Sequence, residues 1–96
     1  MDLFISDEAD EDLLKISVYL AERNPAAAVT FAHEVDKKFE NISHFPFTGR
    51  DRASLVQDTR SIVAGLYVIF YPVERDRITI VRVLDGRRDI DAEFKR

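Results

Sequence analysis

The 96-residue sequence contains no cysteine and no tryptophan, and it has only three glycines and three prolines. Without cysteine the chain forms neither disulfide bonds nor thiolate metal sites, which is typical of a reducing compartment. So few glycines exclude a glycine-rich phosphate-binding loop. No apolar run approaches the roughly 20 residues of a membrane span, and the acidic start lacks the basic region of a signal peptide. We therefore expect a single cytoplasmic domain over residues 1–96, with no membrane contact, cofactor or metal.

The net charge of −4 is unevenly distributed along the chain. Residues 1–45 carry a net charge of −6, whereas residues 46–96 carry +2, and nine of the ten basic residues in this second part are arginines. Nucleic-acid binding usually relies on a basic face, which only the second part offers, and weakly. Because the planar guanidinium group pairs with carboxylates and phosphates, the arginines are the candidate contact residues.

The first part of the chain has the pattern of a strand followed by two helices. A short apolar run at residues 3–5 predicts an edge strand, and Ser6 is placed to cap a helix. Apolar steps of three and four predict that this helix covers residues 7–22. The pair Asn24-Pro25 is a typical helix start, and the second helix is predicted to end near residue 43. The short link between them predicts an antiparallel helical hairpin.

The second part of the chain predicts three strands in series, over residues 60–63, 66–73 and 77–84, joined by short turns. Pro72 donates no hydrogen bond, so we expect it at a strand end or on an edge. The residues between the second helix and the strands predict an irregular loop. The order β-α-α-β-β-β is that of an α+β domain, with the helical hairpin packed on one face of a small antiparallel meander.

Both faces of this meander are apolar, although only one of them can pack against the helices. Side chains alternate along a strand, which gives two faces, one with Tyr67, Ile69 and Tyr71, the other with Leu66, Val68 and Phe70. Single domains rarely leave a large apolar patch bare. Three coverings stay open at this point: a second layer of the same chain, a second copy, or a different protein. The tail, residues 89–96, predicts a short helix anchored by Ile90 and Phe94.

No catalytic residue is predicted. Neither histidine lies in a segment that resembles a catalytic site, and arginine cannot act as a base near neutral pH. The residues that we single out for contact with a partner lie in the meander and the turn after it: Arg60, Tyr67, Tyr71, Arg82, Arg87 and Arg88.

Arg82 has two interpretations. Regular alternation places it on one face with Ile78, Ile80 and Leu84, where a guanidinium group needs an acceptor. That acceptor is either an acid of the same chain, such as Asp85 or Asp89, or the carboxylate of a partner.

The whole chain resembles the RelE/ParE toxins of bacterial type II toxin–antitoxin pairs. Five segments carry the resemblance in the same order: ADEDLLKISVYL (9–20), RNPAAAVTF (23–31), FPFTGR (45–50), RSIVAGLYVIFY (60–71) and IVRVLDGRRD (80–89). The resemblance implies a toxin that a cognate ParD-like antitoxin neutralises. In this family the C-terminal segment of the antitoxin folds onto the toxin, and the complex binds operator DNA through the antitoxin.

The two branches of the family differ in activity. RelE-like members cleave mRNA on the ribosome, whereas ParE-like members inhibit DNA gyrase. Of the RelE pattern, this sequence keeps Arg60 and Arg88, but it has Asp58 in place of a lysine, Tyr67 near an arginine position, and Phe94 in place of a tyrosine. We therefore favour a ParE-like, non-enzymatic gyrase inhibitor, with Phe94 added to the contact residues. The alternatives are a RelE-like mRNA endonuclease and a non-toxic member that only binds a partner.

Overall fold

The computed structural model describes residues 1–95 and confirms the predicted α+β order. Its three helices are α1 (Asp7–Arg23), α2 (Pro25–His44) and α3 (Ile90–Phe94). Its strands are β1 (Asp2–Ile5), β2 (Arg50–Asp51), β3 (Thr59–Ala64), β4 (Tyr67–Glu74), β5 (Arg77–Ile80) and β6 (Arg82–Asp85). Two features were not predicted: the short strand β2, and the division of the last predicted strand into β5 and β6.

Helices α1 and α2 begin at the predicted residues. The Ser6 hydroxyl accepts a hydrogen bond from the Ala9 N–H at 3.1 Å and donates one to the Val81 carbonyl at 3.2 Å. The Asn24 side chain accepts from the first N–H groups of α2, and Pro25 occupies the first turn, where no donor is needed. None of the helices in residues 1–95 has the length and apolar character needed to span a bilayer.

The strands form one sheet in the order β1-β5-β4-β3-β2, and β6 also pairs with β4. Strands β2 to β6 pair antiparallel, as predicted for the meander. β1 joins the edge of the sheet parallel to β5, with Leu3 opposite Ile78. The N–H of Ser6 then donates to the Ile80 carbonyl at 2.9 Å, so the start of α1 is attached to the end of β5.

A bulge separates β5 from β6. Val73 pairs with Ile78 on one side of it and Phe70 pairs with Arg82 on the other, so three residues of one strand oppose two of the other. Pro72 lies at this point inside β4, a central strand, which contradicts its predicted place at an end or edge. A bulge tolerates this, because the ladder is interrupted where proline lacks its donor.

The predicted face of Arg82 is wrong because of this bulge. One extra residue shifts the alternation, so Ile78 and Ile80 belong to the core beneath the helices, whereas Leu84 belongs to the cluster on the opposite face. Arg82 is the cross-strand neighbour of Phe70 and so shares the face of Leu84 rather than that of Ile78.

The main core lies between the helical hairpin and the sheet. It is built from the predicted inward residues of the helices and from alternate residues of the strands. Its buried members are Ala9, Phe31, Val35, Ile42, Ala64, Tyr67, Ile69, Tyr71, Ile78, Ile80 and Val83.

The second face of the sheet is covered by the chain itself. Val68, Phe70 and Leu84 are buried in a separate cluster. Ile90 and Phe94 of the tail pack against it, with the Phe94 ring edge-on to Phe70 at a centroid distance of 4.9 Å. Of the three coverings left open by the sequence, the structure has a second layer of the same chain. A partner therefore has to bind elsewhere, or displace this layer.

The tail layer contributes to stability. We expect Phe94→Ala to lower the free energy of unfolding by about 1–3 kcal/mol, because a half-buried ring loses its contact with Phe70. Lys95→Ala, an exposed neighbour, is the control and should change it by less than about 0.5 kcal/mol. Urea denaturation measures both variants, and equal values for the two would contradict the covering role of the tail.

Candidate functional site

An open apolar groove of about 450 Å³ lies between the start of α2 and the β3–β4 turn. Ala26, Ala27 and Phe31 form its helical wall, and Leu66 and Tyr67 form the wall on the turn. The side chain of Leu66 is 64% exposed, although it is large and apolar. We call this surface the hairpin groove.

The sequence explains why a groove forms there. Alanines follow Pro25 in the first turn of α2, and their small side chains leave space between the helix and the sheet. Gly65 makes the turn with φ of 62°, a conformation that side chains rarely allow. The turn directs the chain from β3 into β4 and places Leu66 at the mouth of the groove.

A second cleft, of about 300 Å³, adjoins the hairpin groove between α1 and β6. Tyr67 lines both depressions, and its ring packs edge-on against Phe31 with centroids 5.0 Å apart. Tyr19 and Arg88 line the cleft on its outer side. Burial raises the pKa of the Tyr67 hydroxyl, with a smaller effect from Asp85, so this group stays neutral and can donate a hydrogen bond.

Arg87 and Arg88 lie on the turn after β6. Arg88 lines this cleft, and Arg87 is paired with Asp85, which also lines it. Arg87 forms a bidentate pair with Asp85 at 3.0 and 2.7 Å, and this pairing lowers the pKa of Asp85 to about 2. Arg88 donates to Glu93 of the tail helix at 3.0 Å. Both arginine side chains remain largely exposed. Their remaining N–H donors are therefore available to an incoming carboxylate.

Arg82 is held by α1. Its guanidinium group donates two hydrogen bonds to Asp12 at 2.8 and 3.1 Å, and a further oxygen of Glu93 lies 3.8 Å away. The Asp12 carboxylate also accepts the N–H of Val83 at 2.9 Å. An internal acid therefore satisfies Arg82, but that acid is Asp12 rather than Asp85 or Asp89.

Tyr71 and Arg60 hold the loop that follows α2. Tyr71 is fully buried, and its hydroxyl accepts the N–H of Gly49 at 3.0 Å. Arg60 donates to the carbonyls of Phe47 and Gly49 at 3.3 and 2.9 Å. A side chain at Gly49 would overlap the Tyr71 hydroxyl and lie 2.8 Å from the Ser61 carbonyl oxygen. Tyr71 therefore positions this loop and offers no surface to a partner in this conformation.

The seven contact residues expected from the sequence thus fall into separate places. Tyr67, Arg87 and Arg88 gather around the cleft. Arg60 and Tyr71 form hydrogen bonds with the loop after α2. Arg82 binds Asp12 of α1, and Phe94 packs against Phe70. Sequence reasoning missed Leu66 as an exposed residue at the groove, although its place after Ala64-Gly65 at a turn tip was a usable signal.

The close approach of Gly49 to Tyr71 can be tested by a double-mutant cycle. We expect Gly49→Ala to destabilise the fold by about 1–3 kcal/mol through overpacking, and Tyr71→Phe to cost about 1–2 kcal/mol through the lost hydrogen bond. The double variant should cost less than the sum, because the phenylalanine ring lacks the oxygen that the new methyl group meets. Purely additive thermal-denaturation values would contradict this contact.

The sequence model of the ParE toxin of type II toxin–antitoxin systems, parDE, matches residues 3–90. Toxin ParE3 of Caulobacter vibrioides is 30% identical over 62 residues, which span 65% of this chain and 62% of that protein. The aligned part is thus less than two thirds of the length of this relative.

A solved structure supports the fold. A chain of the chromosomal ParDE TA system from P. aeruginosa superposes with a TM-score of 0.75 over 88% of this chain and 95% of that chain, at 19% identity. The family match extends from β1 to the first residue of α3 and so includes both walls of the hairpin groove and the cleft. The chain belongs to the ParE toxin family of type II toxin–antitoxin systems.

Proposed function

We propose that this protein is a toxin that inhibits DNA gyrase and that a cognate ParD-like antitoxin neutralises it. The observation that carries the proposal is the family match over residues 3–90. DNA gyrase and a newly synthesised antitoxin are both cytoplasmic, so we place this protein in the cytoplasm. Inhibition is then a matter of binding, and no group of the chain needs to perform chemistry on a substrate.

The hairpin groove and the adjoining cleft are the surface that we assign to the antitoxin. Leu66 and the alanines of α2 offer apolar contacts, while Arg87 and Arg88 offer donors at the rim. An amphipathic segment with apolar residues on one side and carboxylates beside them would match this arrangement. A disordered segment that folds as it binds can follow such a continuous surface.

Tyr67 is the residue at the centre of this surface, because it lines both depressions. Its ring completes the apolar floor and its neutral hydroxyl can donate to the partner. Arg82 supports the proposal indirectly, since its bonds to Asp12, which lines the cleft, fix α1 beside β6. DNA binding by the complex is assigned to the antitoxin, because the toxin carries a net charge of −4.

Two placements favour gyrase inhibition over mRNA cleavage. Arg60, which corresponds to a basic residue of the RelE-like pattern, donates to the carbonyls of Phe47 and Gly49. Phe94, at the position of the RelE-like tyrosine, packs edge-on against Phe70 and has no hydroxyl. Neither residue is therefore well suited to handle a proton or to stabilise charge on a cleaved phosphate.

The proposal predicts that the purified protein reduces supercoiling by gyrase and causes cleaved DNA to accumulate. Addition of the antitoxin encoded beside the gene should restore supercoiling. Topoisomerase I relaxation in the same buffer is the control and should be unaffected. Normal supercoiling at a large molar excess of toxin would contradict the proposal, and cuts in translated mRNA would favour the RelE-like alternative.

The assigned groove makes a separate prediction. We expect Leu66→Ser to weaken antitoxin binding by about 1–3 kcal/mol, because it removes an exposed apolar contact at the mouth of the groove. Val63→Ser is the matched control, since Val63 is also exposed but neighbours Val68 on the opposite face. Calorimetric titration with the antitoxin measures both. Equal affinities for the two variants would place the antitoxin elsewhere.

A further inference from the structure

Strand β1 forms one end of the sheet, with β5 as its single neighbour among the strands of residues 1–95. The N–H of Ser6 donates to the Ile80 carbonyl, so the even-numbered residues of β1 direct their backbone groups at β5. The N–H and C=O groups of Leu3 and Ile5 consequently point away from the sheet. Outside the ladder, no backbone hydrogen bond in residues 1–95 engages these outward groups. They are therefore open to another strand.

The side chains of β1 leave this edge accessible from both faces of the sheet. Phe4 is opposite Thr79 on the face away from the helices, and it is 45% exposed. The guanidinium carbon of Arg77 lies 4.2 Å from the centroid of its ring. Ile5 is opposite Ile80 on the face of the main core, and it is 43% exposed. An element covering the edge would have buried at least one of these two side chains.

The other edges of the sheet are protected against pairing with a further strand. β2 has only two residues, and both are charged and exposed. In β6, the N–H of Val83 donates to the Asp12 carboxylate at 2.9 Å, so α1 occupies this edge. Edge strands usually avoid foreign partners through charge, proline, a bulge, shortness or such a cover. β1 has four residues, of which only Asp2 at its start is charged, and it has no proline.

The sequence of β1 is complementary to itself in one antiparallel register. A two-fold axis at Phe4 sets this residue opposite its own counterpart and sets Leu3 opposite Ile5 of the second copy. Opposite residues of antiparallel strands share a face, so apolar side chains meet on both faces. The outward groups of Leu3 and Ile5 then form hydrogen-bonded pairs on either side of the axis, and Phe4 takes the closer position between them. An axis at Leu3 would set Asp2 against Phe4 instead.

We propose that β1 is a self-association edge, at which two copies of this chain pair antiparallel about Phe4 and extend the sheet from one molecule into the other. The contact uses the same residues of both copies, so it closes as a dimer. A second copy fits better than a strand of a different protein, because it matches the donors, the acceptors and the apolar side chains of β1 at once. The contact is small, and we expect an exchanging dimer with a dissociation constant on the order of 10–100 µM.

This inference goes beyond the proposed function and does not rest on it. No residue of β1 lines the hairpin groove or the adjoining cleft. β1 is also separated from β3 by β5 and β4, a distance of about 14 Å at the usual strand spacing. The surface assigned to the antitoxin therefore stays uncovered in each copy of the dimer.

The register can be tested with single cysteines, because the chain has none of its own. In the proposed dimer, the two Cα atoms at position 4 lie about 4.5 Å apart, which a disulfide bond can bridge. The two Cα atoms at position 5 lie about 8 Å apart, beyond the reach of roughly 7 Å. Under mild oxidation we expect Phe4→Cys to form covalent dimers at least about 10-fold faster than Ile5→Cys, the matched control of equal exposure. Equal rates would overturn the register.

The dimer itself can be tested by sedimentation of the full-length protein over a range of concentrations. Phe4→Glu should raise the dissociation constant at least about 10-fold, because two carboxylates then meet at the axis. Arg77 lies beside position 4 and can pair with this carboxylate, so the thermal melting of the monomer should be retained. An equal mixture of Phe4→Glu and Phe4→Lys should restore dimers, since opposite charges then face each other. Leu66→Ser, at the hairpin groove, is the control and should dimerise like the wild type.

The outcomes that overturn the proposal are distinct. A wild type that remains monomeric up to a concentration on the order of 1 mM would exclude self-association through β1. Dimers that persist in Phe4→Glu would place the contact elsewhere. A monomeric wild type whose affinity for the antitoxin falls in Phe4→Glu would assign the edge to a strand of the antitoxin. None of these readouts uses gyrase, so failure of the gyrase assay and failure of the dimer are separate results.

Discussion

Strand β4 has to be covered on both faces, and the rest of the molecule is arranged to do this. Its alternate residues belong to two separate clusters, one with Ile69 and Tyr71 beneath the helices and one with Val68 and Phe70 beneath the tail. A strand that is apolar on both sides is stable only between two layers. In this chain of 96 residues, a helical hairpin forms the first layer and a five-residue helix with its flanking loop completes the second.

Because most of β4 is covered by its own chain, exposed apolar side chains lie elsewhere, among them those at the two ends of the hairpin. At one end, small residues of α2 leave the groove beside Leu66 and Tyr67. At the other, the chain leaves α2 through Phe45 and Phe47. Under the proposed function, an antitoxin bound at the hairpin groove would neutralise the toxin by covering part of it or by holding the target away.

Local signals predicted much of this fold. The caps at Ser6 and Asn24, the two long helices and strands β1, β3 and β4 follow from residues that are close in sequence. What could not be predicted depends on contacts between distant residues. The partner of Arg82 is Asp12, 70 positions away, and the acid next in sequence, Asp85, is instead occupied by Arg87.

The bulge after β5 is a second feature that local sequence patterns could not predict. Regular alternation across residues 77–84 assigned Arg82 to the wrong face, since an extra residue leaves no signal in a run of apolar side chains. The covering tail was likewise ambiguous, because a marginal helix forms only when a surface is there to receive it. The candidate contact residues Tyr67, Arg87 and Arg88 came together as a cleft, while the groove beside them became visible only with α2 in place.

In the binding mode that we propose, the antitoxin occupies the hairpin groove and leaves the tail layer intact. Hydrogen–deuterium exchange of the toxin with and without its antitoxin tests this most directly. We expect new protection at the start of α2 and around Leu66 and Tyr67, with unchanged exchange in α3. Faster exchange in α3, together with new protection on the Val68 and Phe70 face of β4, would contradict it, because the antitoxin would then have displaced the tail.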